Sequence, residues 1–135
     1  MGNGIKYPTV EEIEEYNVLV LSVIKVKKAD KPHVLSRHKI RSAIEACENA
    51  EEDIYHKAAV LIRQLVVAHA FASGNRRTAF VATKAFVQKN GGSFKIPDDP
   101  NYATVMRGIR EGHYSDDEVK EWISHGKIRE FRRGR

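Results

Sequence analysis

The sequence predicts an all-α protein, a single helical bundle of about six helices, and three observations carry this prediction. Apolar residues recur at every third or fourth position through most of the chain, which is the spacing of an amphipathic helix. Two Ser/Thr-x-x-Glu pairs mark helix starts. Almost no stretch alternates between polar and apolar residues as a strand does. The chain has 135 residues, of which 41% are hydrophobic, and this suits one folded domain.

The first two helices are predicted in the N-terminal third of the chain. Thr9 and Glu12 form the capping box that opens the first helix, and its apolar spacing continues to about Lys28. The segment Asp30-Lys31-Pro32 then breaks the helical pattern. A second helix is predicted from Ser36 to Asn49. Its inward positions are Ile40, Ala43, Ile44 and Cys47.

Four further helices are predicted in the rest of the chain. The third runs from Glu51 to Ala72, with an apolar stripe wide enough for a central helix. The fourth runs from Arg76 to Asn90, where two glycines stop it. The fifth covers about residues 101–112, and the sixth runs from Ser115 to about Ser124 behind the second capping box. We therefore expect a helical domain over residues 1–126.

Composition and charge exclude several classes of protein. Cys47 is the only cysteine, so the chain has no internal disulfide and no cysteine zinc cluster, and we interpret Cys47 as a packing residue. The longest apolar run, Val18–Ile24, is shorter than the ~18 residues that a membrane span needs. The N-terminal residues do not have the pattern of a secretory signal, so we expect a cytoplasmic protein without a membrane partner.

The positive charge is concentrated in one part of the chain. Residues 54–97 carry seven basic residues and no acid, whereas the net charge of the whole chain is only +5. Such an acid-free basic segment suits a ligand that carries phosphate.

The segment between the third and fourth helices has the features of an anion site. His69 ends a buried helix, Gly74 permits a tight turn, and Asn75 is a residue type that caps helices. The N–H groups of residues 75–78, at the start of the fourth helix, are expected to lack partners within that helix and to attract anions. Arg76 and Arg77 oppose the helix dipole there, which indicates that an anion sits between them.

A purely structural interpretation of this segment stays open at this point. A histidine at the end of an apolar helix is usually a satisfied core residue, and Gly-Asn between two helices is usually a turn. The combination with two arginines in the first turn favours a phosphate or nucleotide site.

The same segment resembles the signature of the Fic/Doc family, His-x-Phe-x-Asp/Glu-Gly/Ala-Asn-Gly/Lys-Arg. His69, Phe71, Gly74, Asn75 and Arg77 stand at matching positions. The start of the first helix and the placement of the second and third helices are also similar to that family. The short chain is most similar to the death-on-curing (Doc) branch.

The resemblance implies transfer of part of a nucleoside triphosphate, such as ATP, to a Ser, Thr or Tyr hydroxyl of a protein. His69 would be the general base and Arg77 would neutralise charge that builds up during transfer. Phe71 would anchor the motif in the core. The implied phosphate-binding residues are Gly74, Asn75, Arg76, Arg77 and Thr78.

Two positions depart from the family pattern. Arg76 stands where AMP-transferring Fic enzymes have Gly and Doc toxins have Lys, and a large cation there favours transfer of the γ-phosphate, which is kinase activity. Ser73 stands where the family has the acid that holds Mg²⁺. A serine hydroxyl brings no charge, so magnesium would be held mainly by phosphates and water.

Three hypotheses follow for the function. The first is a Doc-like protein kinase, or an AMP-transferase. The resemblance to the Doc branch implies the toxin of a toxin–antitoxin pair, with a translation elongation factor as its target and a separate antitoxin as its inhibitor. The second is a catalytically degenerate relative that binds nucleotide or protein without transfer. The third is nucleic-acid binding through the basic C-terminal tail, residues 127–135, which we do not expect because short basic tails are usually solvated.

Overall fold

The computed structural model describes residues 4–23 and 32–131, and within these residues the fold is all-α, as predicted. The helices are α1 (Val10–Val23), α2 (Arg37–Asn49), α3 (Ile54–Ala68), α4 (Asn75–Lys89), α5 (Tyr102–Arg110) and α6 (Asp116–His125). The extended backbone in the described part pairs only at an isolated bridge, Val34–Phe71. The predicted end of the first helix near Lys28 lies outside the described residues. None of the described helices is long and apolar enough to cross a membrane.

Helix α3 is the centre of the bundle, as its wide apolar stripe predicts. It contacts α2, α4, α5 and α6, while α1 packs against α2 and α4. Leu61 and Ile62 of α3 are fully buried, and so are Val119 and Ile123 of α6 and the predicted inward residue Ile40 of α2. This packing fixes the end of α3 and the start of α4 between α1 on one side and α5 on the other.

Both predicted capping boxes are confirmed. Thr9 N–H donates to the Glu12 carboxylate at 2.9 Å, and Glu12 N–H donates to the Thr9 hydroxyl at 3.0 Å. Ser115 and Glu118 make the same reciprocal pair at 2.9 and 3.1 Å. These side chains satisfy N–H groups that the first turn leaves without backbone partners.

The predicted bounds of the third helix are wrong at both ends. Asp53 caps the helix by accepting hydrogen bonds from the N–H groups of Tyr55 and His56, so α3 starts three residues after Glu51. The helix stops at Ala68 because His69 adopts the left-handed conformation, with φ of 51° and ψ of 52°. A residue with these angles ends the helical hydrogen-bond pattern.

Four of the seven cations of residues 54–97 have partners elsewhere in the fold. Lys57 is buried and donates to the C=O groups at the C-terminal end of α2, where a cation suits the helix dipole. Three others pair with acids from outside the window: Arg63 with Asp116, Arg77 with Asp98, and Lys89 with Glu12. The acid-free window in the sequence is therefore not an acid-free surface.

Residues 127–131 lie against α5 and α6. Arg129 pairs with Glu118, and the ring of Phe131 stacks on His113 with centroids 4.5 Å apart. This part of the tail therefore packs on the domain through Ile128 and Phe131, while the side chains of Lys127, Arg129 and Glu130 are exposed, as expected for a solvated tail. The last four residues of the tail lie outside the described residues.

We predict that the thiol of Cys47 does not react with a disulfide reagent at about pH 8 while the protein is folded. Cys47 is fully buried, and burial raises the pKa of its thiol to about 12, so almost no thiolate forms. The measurement is the rate of thiol labelling in buffer and in denaturing urea. Equal rates in the two conditions would show that the folded protein exposes this side chain.

Candidate functional site

The segment between α3 and α4 forms one wall of a cavity of about 330 Å³. His69 and residues 72–77 line this wall together with Val66, and α5 supplies the opposite wall through Tyr102, Ala103 and Arg110. Six predicted site residues thus face one space. They are His69, Ser73, Gly74, Asn75, Arg76 and Arg77. Tyr102 and Arg110 also line this space, and neither was predicted from the sequence.

A larger cavity of about 480 Å³ lies beside the first, between α5, α6 and residues 127–131. Tyr102 lines both cavities, but none of the predicted site residues lines the larger one. We therefore place the candidate site in the smaller cavity, where a histidine and a helix N-terminus meet.

Phe71 and Asn75 hold the shape of the loop. Phe71 is buried, at 2% exposure, and its backbone bridges to Val34 in the segment before α2. The side-chain amide of Asn75 accepts a hydrogen bond from Phe71 N–H at 3.0 Å and donates one to Phe71 C=O at 2.8 Å. Asn75 therefore does not cap α4, which contradicts the prediction from the sequence. Gly74 is the N-cap residue, and the Asn75 amide ties the helix start to the loop.

His69 presents an exposed side chain at the rim of the cavity. Its left-handed backbone is uncommon for a residue other than glycine and costs of the order of 1 kcal/mol. The amide of Asn75 lies 3.4 Å from Nδ1, which is long for a hydrogen bond and too weak to fix the tautomer of the imidazole. The ring is thus placed at the cavity by the backbone rather than by a strong side-chain partner.

The N-terminus of α4 opens into the cavity because its cap is a glycine. Gly74 has φ of 78°, and a Cβ there would lie 3.1 Å from Leu21 Cδ2, so the position suits no other residue well. Gly74 brings no side chain to the first turn, and the N–H groups of residues 75–77 have no partner within the helix. Thr78 N–H donates to Gly74 C=O at 2.9 Å, so the expectation of a free N–H group at Thr78 is wrong.

Arg77 is held at the edge of the cavity by two side chains from the region of α5. Its guanidinium donates to the Asp98 carboxylate at 2.9 Å and to the Tyr102 hydroxyl at 3.1 Å. The hydrogen bond to Tyr102, with the added effect of Asp98, raises the pKa of Arg77 above its usual value. Arg76 is exposed and has no ion pair among the residues that the structure describes.

Asn17 of α1 is a positioning residue, a role that was not predicted from the sequence. It is 1% exposed, and its amide donates to Ser73 C=O at 2.9 Å and to the Thr78 hydroxyl at 3.0 Å. Thr78 is equally buried, so its hydroxyl supports the loop from beneath and does not face the cavity. A polar residue within an otherwise apolar helix face was the signal for such a role.

We predict that Asn17→Ala lowers the free energy of unfolding by about 2 kcal/mol, because it leaves the buried Thr78 hydroxyl and the partly buried Ser73 C=O group without their donor. The measurement is urea unfolding. Asn101→Ala is the matched control, because Asn101 is exposed and makes no side-chain cap hydrogen bond, and we expect less than about 0.5 kcal/mol there. Equal effects of the two substitutions would contradict the role of Asn17.

The donors around the cavity do not fit a magnesium ion held by the protein. Ser73 offers only a neutral hydroxyl, and no Asp or Glu is among the residues that line the cavity. The described residues contain no group of three His, Cys, Asp or Glu side chains placed to hold a metal ion. Mg²⁺ prefers carboxylate oxygens, so the expected metal role of Ser73 lacks its usual chemistry here.

Comparison with protein-family models gives a match. A family model described as the Fic/DOC family matches residues 9–87, which is more than half of the chain. The matched segment contains α1–α3, nearly all of α4 and the whole loop between α3 and α4, whereas α5 and α6 lie outside it. A search of curated proteins found no match.

Proposed function

The chain belongs to the Fic/DOC family, and on that premise we propose that it transfers the γ-phosphate of a nucleoside triphosphate, such as ATP, to a hydroxyl of a protein. One observation carries the proposal. The exposed imidazole of His69 and the open N-terminus of α4 face the same cavity. A base and an anion-binding helix start are the two parts that transfer of a phosphate to a hydroxyl requires.

The proposed reaction is a single displacement at phosphorus. The target hydroxyl oxygen attacks the γ-phosphorus while its proton passes to the imidazole of His69. The bond from the γ-phosphorus to its bridging oxygen breaks, and the electron pair leaves with the nucleoside diphosphate. The N–H groups of residues 75–77 and the guanidinium of Arg77 are placed to stabilise the charge on the phosphate oxygens during this step.

Arg76 supports phosphate transfer over AMP transfer. It lines the cavity beside the helix start, where the family resemblance has a glycine in AMP-transferring enzymes. A large cation at this position favours the nucleotide orientation of the Doc branch, in which the γ-phosphate is transferred. Transfer of AMP is the alternative reaction.

A second candidate function is nucleotide binding without transfer. The observation that favours it is Ser73, which stands where the family has an acid. No other residue that lines the cavity supplies a carboxylate. A protein fold does not by itself guarantee the usual chemistry.

Transfer from labelled ATP separates these candidates. The protein is incubated with γ-labelled or α-labelled ATP, magnesium, cell extract and, in a separate reaction, purified translation elongation factor. We expect protein label from the γ position with wild type and with His38→Ala, in which an exposed histidine of α2 is removed as a control. Label from the α position would contradict phosphate transfer. No label from either position, with unchanged ATP binding by His69→Ala, would favour binding without transfer.

A further inference from the structure

Three arginines line the candidate cavity. Arg76 and Arg77 come from the first turn of α4, and Arg110 comes from the last turn of α5 on the opposite wall. The N-terminus of α4 adds its own positive potential to this group. The cavity therefore concentrates positive charge from two helices. Arg77 on one wall and Arg110 on the other are 33 residues apart in the sequence.

The fold supplies a counter-ion for only one of these arginines within its described part. Arg77 pairs with Asp98, which stands at the edge of the cavity and does not line it. Arg76 and Arg110 are both exposed, and no ion pair is found for either among residues 4–23 and 32–131. Outside the cavity, Arg37, Arg63 and Arg129 have carboxylate partners, whereas Arg41 and Arg107 have no ion pair among the described residues. The charge in the cavity is thus left for a ligand to balance.

The donor set of the cavity suits phosphate oxygens directly. A guanidinium binds phosphate through two parallel hydrogen bonds and keeps its charge at any working pH. Three such groups and the helix N–H groups match a polyphosphate, which carries a charge on each phosphate. A divalent cation among the same arginines would be repelled, and no carboxylate lines the cavity to hold it.

We propose that this cavity binds the phosphate chain of a nucleotide through Arg76, Arg77 and Arg110 without a metal ion held by the protein, and that Arg110 is a phosphate-binding residue. The inference rests on the proposed function for the choice of a nucleotide as ligand. Arg110 lies outside the segment that matches the family, so the match assigns it no role.

Binding of a fluorescent ATP analogue, followed by its anisotropy, tests the proposal without any need for transfer. We expect affinity in EDTA at least as high as in magnesium, and competition by inorganic tripolyphosphate but not by adenosine. Arg110→Gln should weaken binding in EDTA about tenfold or more, since it removes charge-assisted hydrogen bonds. Arg41→Gln removes the same charge from an exposed position of α2 that does not line the cavity, and we expect less than about a twofold change there.

Ser73→Asp provides a second variant with a distinct readout. The added carboxylate should repel the phosphates and weaken analogue binding in EDTA, and magnesium should restore it, so the variant becomes metal-dependent. Thermal unfolding of each variant checks that the fold is retained.

The outcomes separate this inference from the proposed function. Wild-type binding that needs magnesium, or equal effects of Arg110→Gln and Arg41→Gln, would overturn the inference even if label is transferred from ATP. Tight metal-free binding that depends on Arg110, without transfer of label, would leave the inference standing and overturn the proposed function.

Discussion

Replacement of His69 by asparagine is expected to lower the rate of phosphate transfer by about 10²- to 10⁴-fold, the usual contribution of a general base. Asparagine tolerates the left-handed backbone that His69 adopts, so the loop keeps its shape. It has no basic nitrogen to accept the hydroxyl proton. The measurement is the single-turnover rate of label transfer from γ-labelled ATP to the protein target.

A measurement of ATP binding distinguishes loss of the general base from loss of the nucleotide-binding site. We expect the His69→Asn protein to bind the fluorescent ATP analogue within about threefold of wild type, because the arginines and the helix N-terminus that we propose bind phosphate remain in the cavity. A variant that binds normally and transfers at the wild-type rate would remove His69 from the mechanism. A variant that loses binding would assign His69 to the nucleotide site instead.

Replacement of Arg77 by alanine is expected to lower the transfer rate by about 10²- to 10³-fold, which is typical when one donor to the charge of the transition state is removed. Arg77 lines the cavity beside the open helix start, and its guanidinium is already oriented by Asp98 and Tyr102. The rate of transfer at saturating ATP should fall more than the affinity for ATP, because the lost interaction strengthens during transfer.

Asp98→Asn is the matched control for Arg77. It removes the carboxylate partner but keeps the arginine and its hydrogen bond to the Tyr102 hydroxyl. We expect transfer within about fivefold of wild type, since the ion pair is at the surface and contributes little. Equal losses in Arg77→Ala and Asp98→Asn would show that the ion pair, rather than the cation, is what transfer needs.

The sequence was sufficient to predict the helices and, where a capping box is present, their first turns. Apolar spacing and the two capping boxes are local features, so the helix order and the starts at Thr9 and Ser115 could be predicted within a residue or two. The end of α3 could not be predicted. His69 leaves the helical conformation at the start of a loop that is held by the Val34–Phe71 bridge and by the hydrogen bond from Asn17. No local rule states that a histidine will take left-handed angles.

The candidate site divides in the same way between sequence and structure. The order of His69, Gly74, Asn75 and Arg77 along the chain predicted a histidine and an anion-binding helix start near one another, because residues this close in sequence must meet at one turn. That Asn75 binds the Phe71 backbone, and not the helix start, depends on side-chain geometry that spacing does not specify.

The sequence by itself therefore determined the fold class, the family motif and the substitution of Ser73 for an acid. Only the tertiary structure decided which charges share a space. It brought Arg110 to the opposite wall of the cavity, set Asp98 against Arg77, and placed Asn17 beneath the loop. The physical reason is that charge and hydrogen bonding act over a few ångströms in space, while the sequence orders residues only along the chain.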